Sequence, residues 1–205
     1  MPAREEDSGH LRPTDGTSVE GARRWLEGGA LLLRTHGPAG VKLRSLAAAV
    51  ERSTGSFYHH FGSFPAFLEA LAADFSGDAL SGAMVEARHD DPHTELRRFL
   101  HIHEARQIDD LASAMRAWSR SFVPAARAVE EAEAKVLRYF ERLFRSAGSD
   151  RPTARAQATL LLSYGAAQVS TPWRRSKAEV RRIQELILGV ETRRSPQDRR
   201  PTGRR

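Results

Sequence analysis

Apolar residues recur every three or four positions along most of this chain of 205 residues, and no segment alternates apolar and polar residues as a half-buried strand does. The clearest stripe consists of Phe64, Phe67, Leu68, Leu71 and Phe75, which share one face of a helix. A helix with one apolar face must bury that face against another element. The pattern therefore predicts an all-α fold, and 40% apolar residues are enough for its core.

Capping residues, prolines and glycines set the predicted ends of the helices. Residues 17–20 and 176–179 have capping-box spacing, so each segment is expected to begin a helix. Gly37-Pro38 ends the first helix, and Ser63 is expected to cap the fourth. After the first helix, the predicted helices cover 42–50, 54–60, 64 to about 87, 93–105, 107–121, 124–147, 152–171 and 177–191.

The stretch from Leu46 to Phe61 has the pattern of a helix-turn-helix. A short apolar helix is followed by a break and then by a second short helix that carries hydroxyls, histidines and aromatic rings. Ala47 is small enough for a close crossing of the two helices, and Phe57 and Phe61 are the expected inward anchors. A unit of this kind lays its second helix in the major groove of DNA.

The charge of the chain is unevenly distributed. The net charge is +6, yet residues 63–192 are close to neutral, and residues 193–205 hold six arginines against Asp198. Residues 19–62 carry six basic and three acidic side chains, so the helix-turn-helix region is modestly basic. We expect the arginine-rich tail to be solvated and disordered, with nonspecific attraction to phosphate as the alternative.

The absence of cysteine excludes a disulfide framework and a thiolate metal site. The N-terminus has acidic residues where a signal peptide would be basic, and no run approaches the roughly 20 apolar residues of a membrane span. These features predict a soluble, cytoplasmic protein.

The sequence has no pattern typical of an enzyme. Neither a glycine-rich phosphate loop nor a nucleophile elbow is present. His101 and His103 are two positions apart and so point to different sides of a helix, while a proline separates His89 from His93. Carboxylates such as Glu130, Glu131 and Glu133 are expected to form the solvated face of a charged helix. We therefore predict no catalytic residue, no metal site and no cofactor.

The most specific residues are Leu46-Ala47 and the run Thr54-Gly55-Ser56-Phe57-Tyr58-His59-His60-Phe61, preceded by the apolar stripe of the first helix. They resemble the DNA-binding domain of the TetR (tetracycline-repressor-like) family of transcriptional regulators. More loosely, the regulatory domains of some members are similar to Met115-Arg116-Ala117-Trp118 and to the helix 129–144. The resemblance implies a homodimer that reads a palindromic operator, most simply as a repressor, and that holds a small-molecule effector in its C-terminal domain.

Composition and the resemblance together predict a division of the chain into four parts. A disordered N-terminus covers 1–16, and a three-helix DNA-binding domain covers 17–62. A ligand-binding and dimerisation domain of about six helices covers 63–191, and the basic, disordered tail covers 192–205.

The residues expected to contact DNA lie in the second and third helices. Arg44 can grip a guanine edge in bidentate fashion, and Tyr58 and His59 suit phosphate oxygens. The alternative for Tyr58 and His60 is that they complete the core of the domain. The full expected set is Lys42, Arg44, Ser53, Thr54, Gly55, Ser56, Tyr58 and His59.

Four positions depart from the family pattern. Val41 stands where a capping threonine is usual, Glu51 and Arg52 replace the turn glycine and the apolar residue after it, and Phe64 replaces a lysine that meets phosphate. A left-handed Glu51 would cost roughly 1–2 kcal/mol. These departures keep an alternative open, namely a dimeric ligand-binding or protein-interaction module whose helix-turn-helix has lost specific DNA binding.

Large apolar side chains in the middle helices provide candidates for the effector site. Phe99, His103, Met115, Trp118 and Phe122 combine apolar surface with a few polar tips, which is the composition of a ligand pocket and equally that of a plain helical core. Because of the resemblance, we expect these five residues to bind the effector.

The last two helices carry apolar stripes with small residues in one of them. Two such helices from each subunit can close into a four-helix bundle, so we expect a homodimer through this surface, with packing inside one chain as the alternative. The stripes consist of Ala158, Leu161, Gly165 and Val169, and of Val180, Ile183, Ile187 and Val190.

Overall fold

The computed structural model describes residues 15–170 and 176–188. Over these ranges the chain forms ten α-helices and one 3₁₀ turn, η1 (Pro38–Gly40), and no strand. The all-α prediction is therefore confirmed. The helices are α1 (Asp15–His36), α2 (Leu43–Ala49), α3 (Thr54–His60), α4 (Phe64–Ser76), α5 (Asp78–Ala87), α6 (Pro92–Ala105), α7 (Ile108–Trp118), α8 (Val123–Ser146), α9 (Arg151–Ser170) and α10 (Lys177–Leu188).

Capping residues, prolines and glycines predicted most helix ends to within a few residues of their observed positions. The capping box of α10 is formed on both sides, since Ser176 N donates to Glu179 Oε2 across 2.8 Å and Glu179 N donates to Ser176 Oγ across 3.2 Å. Ser63 Oγ caps α4 by accepting from Ala66 N across 3.2 Å. Such bonds involve neighbours in sequence, which is why the sequence alone could indicate them.

Helix α1 starts earlier than predicted. It begins at Asp15, so Thr17 lies inside the helix, and a disordered segment reaching residue 16 is wrong for Asp15 and Gly16. Residues 1–14 and the basic tail at 192–205 lie outside the described residues.

The fourth predicted helix is two helices. The backbone leaves helical geometry at Gly77, with φ −94° and ψ −113°, and α5 begins at the next residue. Glycine is a weak helix former, and nothing in the spacing of the apolar residues marks the break. The part of the chain after α3 therefore contains α4 to α10, seven helices where about six were predicted.

The chain divides into two compact units between Asp74 and Phe75, within α4. The predicted boundary at residue 62 lies earlier, at the end of α3. Each unit has its own apolar core.

In the first unit the core forms around Phe57 of α3. The Trp25 ring meets Phe57 edge-on at 5.3 Å between centroids, and Phe61 and Phe67 pack on the same ring. Phe57 and Phe61 are thus the inward anchors that the sequence predicted. The sequence places Val19, Ala22, Leu26, Ala30 and Leu33 on the inward face of α1. The buried face is rotated from that stripe, because Trp25 is buried while Val19 is 69% exposed.

In the second unit α8 is the central helix and packs against α6, α7 and α9. Its apolar face contributes to a core that Phe99 of α6 and Ala158 of α9 complete. The α8 residues in this core are Ala132, Val136, Tyr139, Phe140, Leu143 and Phe144.

Candidate DNA interface and ligand cavity

The turn between α2 and α3 forms without a glycine. Glu51 takes the left-handed conformation, with φ 54°, that the expected glycine would have supplied. Arg52 N donates to Ala47 O across 3.1 Å, so the end of α2 is closed. Ser53 then begins α3 by accepting from Ser56 N through its hydroxyl across 3.3 Å. The helix-turn-helix backbone is therefore complete despite Glu51.

The residues predicted to contact DNA are mostly exposed. Tyr58 is 53% exposed, and its ring meets Phe57 edge-on at 5.3 Å. It is therefore a surface residue that rests on the core, so the alternative that it merely fills the core is disfavoured. Six more of the set are also exposed, and Ser56 is half-buried; the six are Lys42, Arg44, Ser53, Thr54, Gly55 and His59. Ser53 in addition uses its side-chain oxygen as the helix cap.

His60 differs from its neighbour His59, because it is half-buried against α1. A Cβ built on Gly21 would lie 2.5 Å from the His60 ring, so glycine leaves the space that the imidazole occupies. Its Nδ1 is buried and has no hydrogen-bond partner among the described residues. The core role considered for His60 therefore fits the structure better than a DNA contact.

Two departures from the family pattern have a structural explanation. Val41 is buried, and Lys42 begins α2 without a side-chain cap. Phe64 stacks on Phe67 at 5.9 Å between centroids and also approaches Phe57 at 6.1 Å. An aromatic core contact thus replaces the phosphate-binding lysine expected at position 64.

The second unit contains a cavity of about 1020 Å³. Its apolar wall includes Phe99, Val136, Phe140 and Leu161, from three different helices. Two of the five residues predicted for the effector site, Phe99 and His103, line this cavity, and Met115, Trp118 and Phe122 do not.

The three residues outside the cavity wall have other packing roles. Met115 is fully buried, and Trp118 stacks on Phe122 at 4.6 Å with an angle of 14° between the rings. An aromatic residue near a pocket and one in the core beside it look alike in a sequence, so composition could not separate them.

An ion pair and a histidine–carboxylate contact line the same cavity, and the sequence did not indicate them. Arg116 of α7 donates from Nε to Glu133 Oε1 of α8 across 2.8 Å. His103 Nδ1 lies 3.1 Å from Asp109 Oδ1. Glu133, which was expected on a solvated face, is 41% exposed and also lines the cavity. The position of Arg116 on the apolar face of α7 was the available signal for a charged group in the cavity.

A buried carboxylate lies elsewhere in this unit. Glu95 is 2% exposed, and it accepts from Arg142 Nη2 across 2.7 Å and from His89 N across 3.1 Å. Burial alone would raise the pKa of Glu95, but these two hydrogen bonds hold it below its ordinary value. Glu95 thus ties the loop before α6 to α8 and is a structural residue.

The stripes predicted for dimer contacts largely face inward. Ala158 and Leu161 are buried in the core of their own unit, and Ile187 packs partly against it. The side chain of Val169 and the whole of Val190 lie outside what the structure describes. The large apolar residues exposed on α9 and α10 are instead Leu160 and Leu186.

Within 15–170 and 176–188, no three His, Asp or Glu side chains gather as metal ligands could. In the same part of the chain, no helix combines the length and the apolar character that a bilayer crossing requires.

No protein-family model matches the chain, and no curated protein does. Solved structures do match its fold. A transcriptional regulator from Rhodococcus sp. Rha1 is 17% identical with a TM-score of 0.66, and the match covers 82% of this chain and 94% of that one. A member of the TetR family from Streptomyces coelicolor A3 is 22% identical with a TM-score of 0.59, covering 82% and 98%.

The fatty acid degradation regulator FadR from Bacillus halodurans is 16% identical with a TM-score of 0.60, and the match covers 85% of this chain and 97% of that one. At these identities the comparison establishes the fold. The chain therefore has the fold of the TetR-family transcriptional regulators, as the residues of its helix-turn-helix predicted.

Proposed function

We propose that the chain is a cytoplasmic transcriptional regulator that binds a palindromic operator as a homodimer and releases it when a small molecule binds. The observation that carries the proposal is the exposed face of α2 and α3. This face presents Lys42, Arg44, Thr54, Tyr58 and His59 to solvent, on a backbone whose turn and helix cap are intact. Cations for phosphate and a guanidinium for a base edge are the side chains that a major-groove reader needs.

The dimer follows from the kind of site that such a unit reads. One helix-turn-helix contacts only a short half-site, so two copies related by a two-fold axis are needed for a specific operator. Leu160 and Leu186 are exposed apolar side chains on α9 and α10, the helices expected to pair. We place the subunit contact on the surface that includes them.

The cavity of the second unit is the proposed effector site. It has a mostly apolar wall with a few charged groups, and its volume of about 1020 Å³ suits a drug-sized molecule. FadR from Bacillus halodurans, one of the proteins with this fold, is a fatty acid degradation regulator. An effector can release DNA only if it binds the non-binding conformation more tightly than the DNA-bound one.

A second function is favoured by two specific residues. Phe64 provides a core contact where a phosphate-binding lysine is usual, and Glu51 adds a negative charge to the turn. If these changes abolish specific DNA binding, the chain is a dimeric ligand-binding or protein-interaction module.

A gel-shift experiment with the DNA upstream of the chain's own gene distinguishes the two functions. At physiological salt, the regulator should shift this duplex at a concentration at which it leaves a random duplex of equal length free. Equal affinity for the two duplexes would favour the interaction module.

A further inference from the structure

We propose that the effector is a carboxylate with an apolar body, and that Arg116 binds its carboxylate. This inference rests on the proposed function, because it identifies the ligand class of the cavity assigned there to the effector.

Arg116 is held in place with most of its hydrogen-bonding capacity unused. Its Nε donates to Glu133 Oε1 across 2.8 Å, and the Arg116 and Glu133 side chains are 31% and 41% exposed. None of the described residues accepts a hydrogen bond from the Nη groups of Arg116. The two Nη groups thus leave a fork of N–H donors that matches the two oxygens of a carboxylate.

Glu133 has a positioning role in this arrangement. A single bond to Nε fixes the plane of the guanidinium without covering its outer edge. A preorganised arginine loses less conformational entropy when it binds a ligand than a free one does.

The rest of the cavity suits the body of the ligand. Phe99, Val136, Phe140 and Leu161 line it, and all four are buried side chains of the core. They offer no hydrogen-bonding group, so this part of the wall favours an alkyl or aryl body over a sugar or a nucleotide.

Three of the four acidic side chains of the wall, Asp109, Glu133 and Glu185, already have a partner side chain, and the fourth, Glu104, is exposed, so the wall does not favour a cationic ligand equally. Glu133 already accepts from Arg116, and Asp109 Oδ1 already lies 3.1 Å from His103 Nδ1. A bound cation would have to share these oxygens with the protein's own partners. A bound carboxylate uses donors that no described residue occupies.

The first test needs no variant and compares three probes with one alkyl chain. Calorimetry with the full chain should give a Kd for dodecanoate at least about 10-fold lower than for dodecanol or the dodecyltrimethylammonium cation, because a charge-assisted hydrogen bond is worth that much. The two ionic probes are used below their micellar concentrations and dodecanol below its solubility limit. Equal affinities, or tighter binding of the cation, would overturn the proposal.

The second test removes the guanidinium. Arg116→Gln should weaken dodecanoate binding about 10-fold or more and change dodecanol binding by less than about two-fold. Arg127→Gln is the matched control, since Arg127 is exposed on α8 and does not line the cavity. An equal loss for both probes would show a damaged cavity rather than a lost carboxylate contact and would also overturn the assignment.

DNA binding separates the failure of this inference from the failure of the proposed function. A chain that binds operator DNA but no carboxylate refutes only the ligand class. A chain that binds dodecanoate through Arg116 but no specific DNA refutes the regulator and leaves the site standing.

Discussion

Arg142 donates from Nη2 to Oε1 of Glu95 across 2.7 Å, and Glu95 is almost fully buried while Arg142 remains half exposed. The two residues are 47 positions apart and join α6 to α8. A buried carboxylate needs such partners, because removing a charge from water without compensation is costly.

This pair makes stability depend on pH in a defined window. The pKa of Glu95 lies below its ordinary value of 4.5 despite its burial, because Arg142 and His89 N–H donate to the carboxylate. A lowered folded-state pKa gives stability that is fully present above about pH 4.5 and is lost as pH falls through the folded value. Hydrogen bonds from Thr94, Lys135 and Thr153 lower the pKa values of Asp91, Glu131 and Asp150 in the same direction.

Glu95→Gln should lower the free energy of unfolding at pH 7 by about 1.5–3 kcal/mol, the value of hydrogen bonds to a charged group. It should also flatten the loss of stability below about pH 4.5. Urea denaturation followed by circular dichroism at several pH values measures both. Glu86→Gln is the control, since that carboxylate pairs with Arg106 at the surface and should matter little. An unchanged pH profile for Glu95→Gln would contradict the assignment.

Glu51→Gly should stabilise the first unit. The substitution removes a left-handed non-glycine residue that costs roughly 1–2 kcal/mol, and the entropy of glycine in the unfolded chain offsets part of the gain. We expect the free energy of opening to rise by about 0.5–1 kcal/mol. Native-state hydrogen exchange of the α2 and α3 amides measures this change. Ala48→Gly, at an exposed position inside α2, should instead lose about 1 kcal/mol. A loss of stability in Glu51→Gly would show that its side chain contributes an interaction.

Arg44→Ala and Lys42→Ala should weaken DNA binding in different ways. Arg44→Ala should cost about 1–3 kcal/mol of binding free energy and relax specificity at one base pair. Lys42→Ala should weaken binding to all sequences and reduce the salt slope by about one unit. Binding titrations at several salt concentrations on operator variants measure both effects, with Arg127→Ala as the control. An unaltered base preference in Arg44→Ala would remove Arg44 from base reading.

The double variant Leu160→Glu, Leu186→Glu should be monomeric at micromolar concentration, where we expect the unmodified chain to be dimeric. These side chains are 59% and 63% exposed in the single chain, and a subunit contact that buries two added carboxylates without partners is unfavourable. Sedimentation velocity measures the outcome. Val85→Glu places a carboxylate at a 64% exposed position of α5 and should leave the dimer intact. A double variant that remains dimeric would show that the subunit contact lies on another surface.

The features that the sequence predicted well depend on neighbouring residues. The bounds of α3 and the capping box at Ser176 follow from bonds that span three or four positions. Trp25 was missed because α1 has apolar residues on more than one face, and only the position of Phe57 decides which face is buried.

Contacts between distant segments could not be predicted in this way. Arg116 and Glu133 lie 17 positions apart on different helices, and their bond depends on how α7 packs against α8. The same holds for the cavity, whose wall draws on helices from α4 to α10. Periodicity shows which residues are apolar along each helix, but the space that remains between packed helices depends on the whole arrangement.

In vitro selection from a random duplex library, with the full chain at physiological salt, tests the central claim most directly. A homodimeric regulator should enrich a palindromic motif whose half-sites are about one helical turn of DNA apart, or a multiple of it. The selected duplex should bind at least about 10³-fold more tightly than random DNA. Recovery of no motif, together with equal binding of selected and random duplexes, would contradict the regulator.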